Sequence, residues 1–302
     1  MVGLIELLRS QGIPFEENVS GKRLCSFHVG GNVRLVVRPQ SVEHLEELYR
    51  YLSENEIKNR ILGKGTNVVI SDGGYDGVIV SLSELSMIDF EIDEDETVIV
   101  GAGASMLKLA SFAQQKGLSG LEFAHGIPGS VGGGVYMNAG AYGGEISSVL
   151  DGCLVFDKER GNVITFDNGE CDFSYRHSIF ADDKDLIVLA ASFALKKGDP
   201  DEIKAKMDEY KAKRTASQPL EYPSAGSTFK RPEGYFAGKL IEDAGLKGFS
   251  IGGAQVSEKH AGFVINRGNA TAEDIKNLVK HIQKEVKEKF GVSLECEIEF
   301  IE

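Results

Sequence analysis

The chain has 302 residues, 42% of them hydrophobic, enough to support a packed core shared among two or three domains. Its net charge of −13 excludes non-specific nucleic-acid binding, which needs a basic footprint. No apolar run reaches the ~18 residues of a membrane span, the six histidines have no metal-ligand spacing, and Cys25, Cys153, Cys171 and Cys296 are scattered without a C-x-x-C pair; membrane insertion, a metal and a disulfide framework are therefore not expected.

In chain order, MVGLIELLRSQG carries Glu6 inside its apolar stretch and lacks a basic leader, so it reads as a short amphipathic helix rather than a signal peptide. A helix is expected over 42–52. Ile61-Leu62 then runs into Gly63-Lys64-Gly65-Thr66-Asn67, the apolar Val68-Val69-Ile70, a turn at Asp72-Gly73-Gly74 and a strand at Val78-Ile79-Val80. Strand, glycine turn, strand is not the dinucleotide fingerprint, which opens a helix after a strand, and no Walker A pattern occurs. Strands follow near 87–92 and 97–100, a helix over 106–116, then strands near 152–156, 163–166 and 186–195. Lys197-Gly198-Asp199-Pro200 reads as a linker and 201–213 as a charged helix. The clearest helix is 272–289, with Ile275, Leu278, Val279, Ile282 and Val286 at helical spacing and Thr271 with Asp274 as a capping box. A last strand is expected over 296–301.

The densest signal is GIPGSVGGGVYMNAGAYGG at 126–144, eight glycines in nineteen residues. Glycine is entropically costly to order, so such a concentration implies a use. Close backbone approach to a ligand is one, with successive N–H groups forming a concavity for a phosphate. The interleaved Ser130, Tyr136, Met137, Asn138 and Tyr142 argue against a flexible linker. With the loop at 63–67, this suggests a large phosphate-bearing ligand. Three further segments carry chemistry more weakly. FSYRHSIF (173–180) sets Arg176 among aromatic residues, where a carboxylate partner suits its planar fork and a surface strand is the plainer reading. In PSAGSTFKRP (223–232) small residues let Ser227 approach a neighbour closely, with Lys230 and Arg231 just after it, which reads equally as a turn with phosphate-facing cations or as a plain turn. LECEIE (294–299) puts Glu295, Glu297 and Glu299 on one strand face, as on a wet edge strand. Lys211, Lys213 and Arg214 close the charged helix as ordinary dipole partners.

Taken together and in order, SFHVGG (26–31), LGKGTNVVISDGGYDGVIV (62–80), GIPGSVGGGVYMNAGAYGGE (126–145), SYRHSIF (174–180), AGSTFKRP (225–232), AGKLIEDAGLKG (237–248), KHAGFVIN (259–266) and FGVSLECEIEFI (290–301) resemble the UDP-N-acetylenolpyruvoylglucosamine reductases, also called UDP-N-acetylmuramate dehydrogenases, over essentially the whole chain. The resemblance implies an α+β architecture. Two subdomains, 1–83 and 84–197, hold FAD in the vanillyl-alcohol-oxidase manner, and a C-terminal α+β domain, 198–302, binds substrate. It implies non-covalent FAD, NADPH as co-substrate, and reduction of UDP-N-acetylglucosamine enolpyruvate to UDP-N-acetylmuramate for bacterial peptidoglycan, in the cytoplasm, by a monomer or weak oligomer.

The same resemblance assigns Arg176 and Glu297 to the substrate carboxylate and Ser227 to protonation of C2. A glutamate can help there only when protonated, since an ionised one repels a carboxylate. It places FAD along Gly63, Lys64, Gly65, Thr66, Asn67, Val68, Gly126, Pro128, Gly129, Ser130, Gly133, Asn138, Ala139, Gly140 and Arg214. Substrate contacts fall to Tyr175, Lys230, Arg231 and Lys239. The short stretch between Arg176 and Ser227 fits the second subtype, without the tyrosine capping loop. Arg231-Pro232, where many relatives have Asn-Pro, departs from the first subtype's pattern. A flavin oxidase of the same fold, with His125 as a covalent link, and a non-catalytic nucleotide module are the rival readings. The full set of Arg176, Ser227 and Glu297 argues against both.

Overall fold

The structure, a computed structural model, describes residues 1–85, 90–93 and 96–302. The chain packs into two compact units, each assembled from separated stretches. One takes Met1–Glu16, Leu35–Gly63 and Gly77–Ala212; the other takes Glu17–Arg34, Lys64–Asp76 and Lys213–Glu302. Each has its own apolar core. No helix among the described residues is long and apolar enough to cross a membrane.

In the first unit five strands run in the order Asn162–Asp167, Leu150–Asp157, Leu186–Ala194, Thr97–Gly101, Phe90–Ile92, each neighbouring pair antiparallel. The central strand, LIVLAASFA, is buried on both faces from Ile187 to Ala191, so it is written as a continuous apolar run rather than an alternation. Helix Met106–Gln115 buries Met106, Leu109, Ala110 and Ala113, a single stripe at helical spacing. Helix Val42–Glu54 buries Leu45, Leu48, Tyr49 and Leu52, and Ser41 caps it by accepting the His44 N–H.

In the second unit Ser250–Ile251, Ala254–Val256 and Val264–Asn266 form an antiparallel sheet. Val68–Ile70 pairs in parallel with Glu299–Ile301. Helix Ala272–Phe290 buries Ile275, Leu278, Val279, Ile282 and Val286 in this core, with the Thr271–Asp274 capping box in place. The Asp72 carboxylate accepts the Ala272 and Glu273 N–H groups, both at 2.9 Å. Donors that have no partner within a helix are thereby satisfied from a distant loop. Gly291, at φ +71°, ends the helix.

Several elements differ from the sequence reading. The strand expected over 87–92 is seen as Phe90–Ile92, and 87–89 lie outside the described residues. The segment 197–200 is not a linker. Lys196–Lys197 pairs with Leu118–Ser119, and Asp199 accepts the N–H groups of Asp201 and Glu202, so it caps helix Pro200–Ser217. Proline at a first helical position has no N–H to orphan, so the residues of a turn and of a helix start look alike here. The last strand is regular only over Glu299–Ile301; Cys296 makes an isolated bridge to Phe229 and the chain bends at Ile298.

Candidate active site

Gly63, where the first glycine loop begins, meets the second loop within the first unit: a Cβ on it would fall on the Ser130 hydroxyl. Ser130 caps the short helix Val131–Tyr136, its Oγ accepting the Gly133 N–H at 3.3 Å. The expectation that successive N–H groups here face a ligand is corrected at Val131, Gly132 and Gly134. These donate to the carbonyls of Ala104, Ala102 and Ser130, all at 2.9 Å. Glycine serves close packing there instead: a Cβ on Gly132 would lie 2.8 Å from that of Ala102, and one on Gly134 3.0 Å from the Met106 sulfur. Just upstream, Nδ1 of His125 is buried without a hydrogen-bond partner among the described residues, and burial holds the imidazole below its ordinary pKa. A buried, neutral, unsatisfied ring nitrogen beside a glycine loop fits a site that receives a polar group from a ligand.

Asn138, expected on the cofactor, is fully buried. Its Nδ2 donates to the Ser174 carbonyl at 2.9 Å and its Oδ1 accepts the Ser147 N–H at 3.0 Å. With no exposed surface it has no atom to offer a ligand, and this assignment is corrected. The FSYRHSIF segment is not a surface strand but a tight turn. Ser174 and His177 exchange backbone hydrogen bonds of 3.1 and 3.2 Å, with Tyr175 and Arg176 at the corner and Arg176 at φ +57°. The Arg176 guanidinium donates to the Asn138 carbonyl at 3.3 Å and the Gly140 carbonyl at 2.7 Å, and lies 4.9 Å from the centre of the exposed Tyr175 ring. The Ile179 N–H bonds the Cys171 carbonyl at 2.9 Å and closes the segment at its base.

In the second unit the structure pairs Thr228, the residue after Ser227, with Glu297. Thr228, fully buried, donates its N–H to Gly262 and accepts the Glu297 N–H, both at 2.9 Å. Its hydroxyl accepts the Val264 N–H at 3.0 Å. Lys230 N–H bonds the Glu295 carbonyl at 2.9 Å, extending the ladder. Ser227 itself is exposed, and its neighbour Gly226, at φ +74°, has nothing within 4 Å of where a Cβ would stand. Asn67 joins the same ladder, its Nδ2 on the Glu297 carbonyl and its carbonyl accepting the Glu299 N–H, each at 2.9 Å. Gly65 is required where it stands: at φ +64° a Cβ would strike the Leu24 carbonyl. Burial pushes the neighbouring Cys296 thiol up to about 11, so it stays protonated.

Of the remaining expected contacts, Lys230 follows the bridged Phe229 and is half-buried, Arg231 is exposed in the loop after it, and Lys239 is exposed on helix Ala237–Asp243. Lys230 pairs with Glu295 and Lys239 with Asp243, each at 2.5 Å; the Asp243 carboxylate raises the Lys239 pKa. Arg231 donates Nε to the Tyr235 carbonyl at 3.3 Å and stacks 3.9 Å from the centre of the Phe236 ring. Such exposed pairs are worth about 0–1 kcal/mol, so an anionic ligand can exchange for them at little cost. Arg214 donates Nε to Gln218 at 2.8 Å. Thr228, Ser147 and Asp72 are residues that motif reading missed. Only their hydrogen bonds to segments far away in the chain single them out.

Comparison with known proteins agrees with this layout. Residues 218–301 match the family model described as UDP-N-acetylenolpyruvoylglucosamine reductase, C-terminal domain, and residues 33–167 match one described as FAD binding domain. UDP-N-acetylenolpyruvoylglucosamine reductase of Caldanaerobacter subterraneus subsp. tengcongensis is 51% identical over 93% of this chain and 91% of its own. That of Clostridium novyi is 49% identical over 95% and 92%. The crystal structure of the Thermus caldophilus UDP-N-acetylenolpyruvylglucosamine reductase superposes with a TM-score of 0.80 at 32% identity, covering 96% of this chain and 99% of that one. With half its residues identical to such relatives along nearly its full length, the chain belongs to the UDP-N-acetylenolpyruvoylglucosamine reductase family.

Proposed function

We propose that the chain is an NADPH-dependent flavoenzyme that reduces the enolpyruvyl group of UDP-N-acetylglucosamine enolpyruvate to give UDP-N-acetylmuramate, a step of peptidoglycan precursor synthesis in the cytoplasm. The observation that carries the reading is the ladder in which Thr228, the residue after an exposed Ser227, accepts the Glu297 N–H. Bound FAD supplies the hydride chemistry, two electrons taken from NADPH and passed to C3 of the enolpyruvyl group. The residues proposed to hold it without a covalent bond are Gly63, Lys64, Gly65, Thr66, Asn67, Val68, Gly126, Pro128, Gly129, Ser130, Gly133, Ala139, Gly140 and Arg214. The divisions 1–83 and 84–197 are proposed as the FAD-binding subdomains and 198–302 as the substrate domain.

Hydride addition to an enol ether needs an electron sink, and the substrate carboxylate is the one present. Arg176 is proposed to bind that carboxylate through a planar fork aimed in advance at the developing charge. Glu297, in its protonated form, donates a further hydrogen bond to it. Ser227 delivers the proton to C2, a transfer downhill onto a carbanion-like centre, where positioning supplies much of the rate. Tyr175, Lys230, Arg231 and Lys239 are proposed contacts to the sugar nucleotide, in an enzyme that works as a monomer or weak oligomer without a tyrosine capping loop.

The test is spectral. The purified protein should be yellow, release all its flavin on acid precipitation, bleach with NADPH and regain colour when the enolpyruvyl substrate is added. Ser227→Ala should slow that return about 10²–10⁴-fold while bleaching proceeds nearly as before. Flavin retained on the precipitate would overturn non-covalent binding. Equal slowing of both steps would make Ser227 a structural residue.

A further inference from the structure

A buried asparagine has four polar groups in its side chain and backbone, and each of those of Asn138 makes a hydrogen bond inside the first unit. Its N–H donates to the Val135 carbonyl at 3.2 Å, its Nδ2 to the Ser174 carbonyl at 2.9 Å. Its Oδ1 accepts the Ser147 N–H at 3.0 Å, and its carbonyl accepts a guanidinium N–H of Arg176 at 3.3 Å. Two of these four bonds reach the turn that carries Arg176, and a third braces the Asn138 side chain itself. Ser174 opens the turn that carries Arg176, Ser147 lies nine residues beyond Asn138 and backs it, and the Arg176 guanidinium returns to the Asn138 and Gly140 carbonyls.

That turn needs holding. Arg176 sits at φ +57°, and Asn138 itself at φ +44°. A left-handed arginine costs energy and persists only where its surroundings over-determine it. Asparagine tolerates the left-handed region, because its short polar side chain bonds locally. The Ser178 hydroxyl adds a tether, donating to the Tyr136 carbonyl at 2.6 Å.

We propose that Asn138 is the positioning residue for Arg176: one side chain fixes the turn, and the same residue's carbonyl, with that of Gly140, fixes the direction of the guanidinium. The proposal rests on the reading of Arg176 as the partner of the substrate carboxylate. It makes the end of the glycine loop a support for the residue that selects a carboxylate-bearing substrate, rather than a part of the cofactor cradle.

The test is a double-mutant cycle on the flavin-loaded enzyme. Asn138→Gly keeps the positive φ and deletes both side-chain hydrogen bonds. Misplacing a reacting group by about 1 Å can cost ~10² in rate, so Asn138→Gly should slow substrate reduction by about 10- to 10²-fold relative to flavin reduction by NADPH. In an Arg176→Ala background the same change should cost less than twofold, because a residue that acts through Arg176 has nothing left to position. Calorimetric affinity for the carboxylate-bearing product should follow the same non-additive pattern. Additive losses, or an Asn138→Gly enzyme equal to the parent, would overturn the proposal. If Arg176→Ala alone left substrate reduction intact, the reading of Arg176 would fall instead. Should Asn138→Gly not fold, Asn138→Asp carries the cycle: it keeps the acceptor and sets a carboxylate oxygen where Nδ2 met the Ser174 carbonyl.

Discussion

Thr228 spends its hydroxyl and its N–H on Val264 and Gly262 of one segment and its carbonyl on Glu297 of another, while fully buried. Thr228→Val keeps the branched shape and deletes only the acceptor of the Val264 N–H. A buried donor left unsatisfied costs about 1–3 kcal/mol, so the unfolding free energy from urea titration should drop by that much. Thr228→Ser should recover most of the loss. If Thr228→Val were as stable as the parent, the hydroxyl would be incidental. At this scale the sequence was legible where chemistry is carried by a residue type within a motif. Arg176, Ser227 and Glu297 each stand in one, and family resemblance joined them. The residues that hold them were not legible. Asn138 reaches Ser174 across 36 positions and Thr228 reaches Val264 across 36, and nothing local in NAG or STF announces such a bond. Asn138 was misread for a physical reason: a polar residue among glycines looks like a ligand contact until its burial is known.

Helix Ala272–Phe290 shows what an element reveals in sequence and what it hides. Its apolar stripe and capping box follow from local spacing, and both stand as read. The Asp72 carboxylate on the Ala272 and Glu273 N–H groups comes from two hundred positions away and could not be seen. The hydrogen bond from the Thr271 N–H, first, and then that from Gly253, hold the Asp274 carboxyl below its usual range. A carboxyl depressed in the folded state adds stability that is present above its unfolded value and is lost as pH falls through the folded one. Asp274→Ala should therefore cost about 1 kcal/mol at pH 7, and the gap to the parent should narrow as the solution is acidified. Urea midpoints at neutral and acid pH check this; a gap that widens in acid would refute the capping role. The segments 197–200 and 296–301 were misread at their ends. Asp-Pro signals a turn and a helix start alike, and the alternation of LECEIE continues through a bend at Ile298 that only tertiary contacts impose.

For the molecule as a whole, the family resemblance carried by the ordered motifs implied the α+β class and the FAD-binding and C-terminal reductase regions. They did not carry the two compact units, because each is built from three stretches that alternate along the chain. Val68–Ile70 has Glu299–Ile301 as its parallel partner, and Val69 and Ile298 lie in the same core. Deleting residues 299–302 should therefore unpair a buried strand in the second unit, lower the melting temperature by several degrees and expose the backbone near Val69 to hydrogen exchange. Unchanged exchange at Val69 and Ile70 would show that the pairing adds nothing.

The alternation has a further consequence during synthesis. The first unit's last stretch ends at Ala212, and the second unit's last stretch is Lys213–Glu302. At roughly 5–20 residues per second, the first unit is complete on the ribosome some 5–18 s before the second can close. For about the first two thirds of that interval Phe27, Val29 and Val69 have been made and their core partners Ile275, Leu278 and Ile282 have not. The nascent chain thus holds a complete first unit whose sequence is interrupted by unsatisfied apolar segments, the kind of surface that chaperones bind and that promotes aggregation.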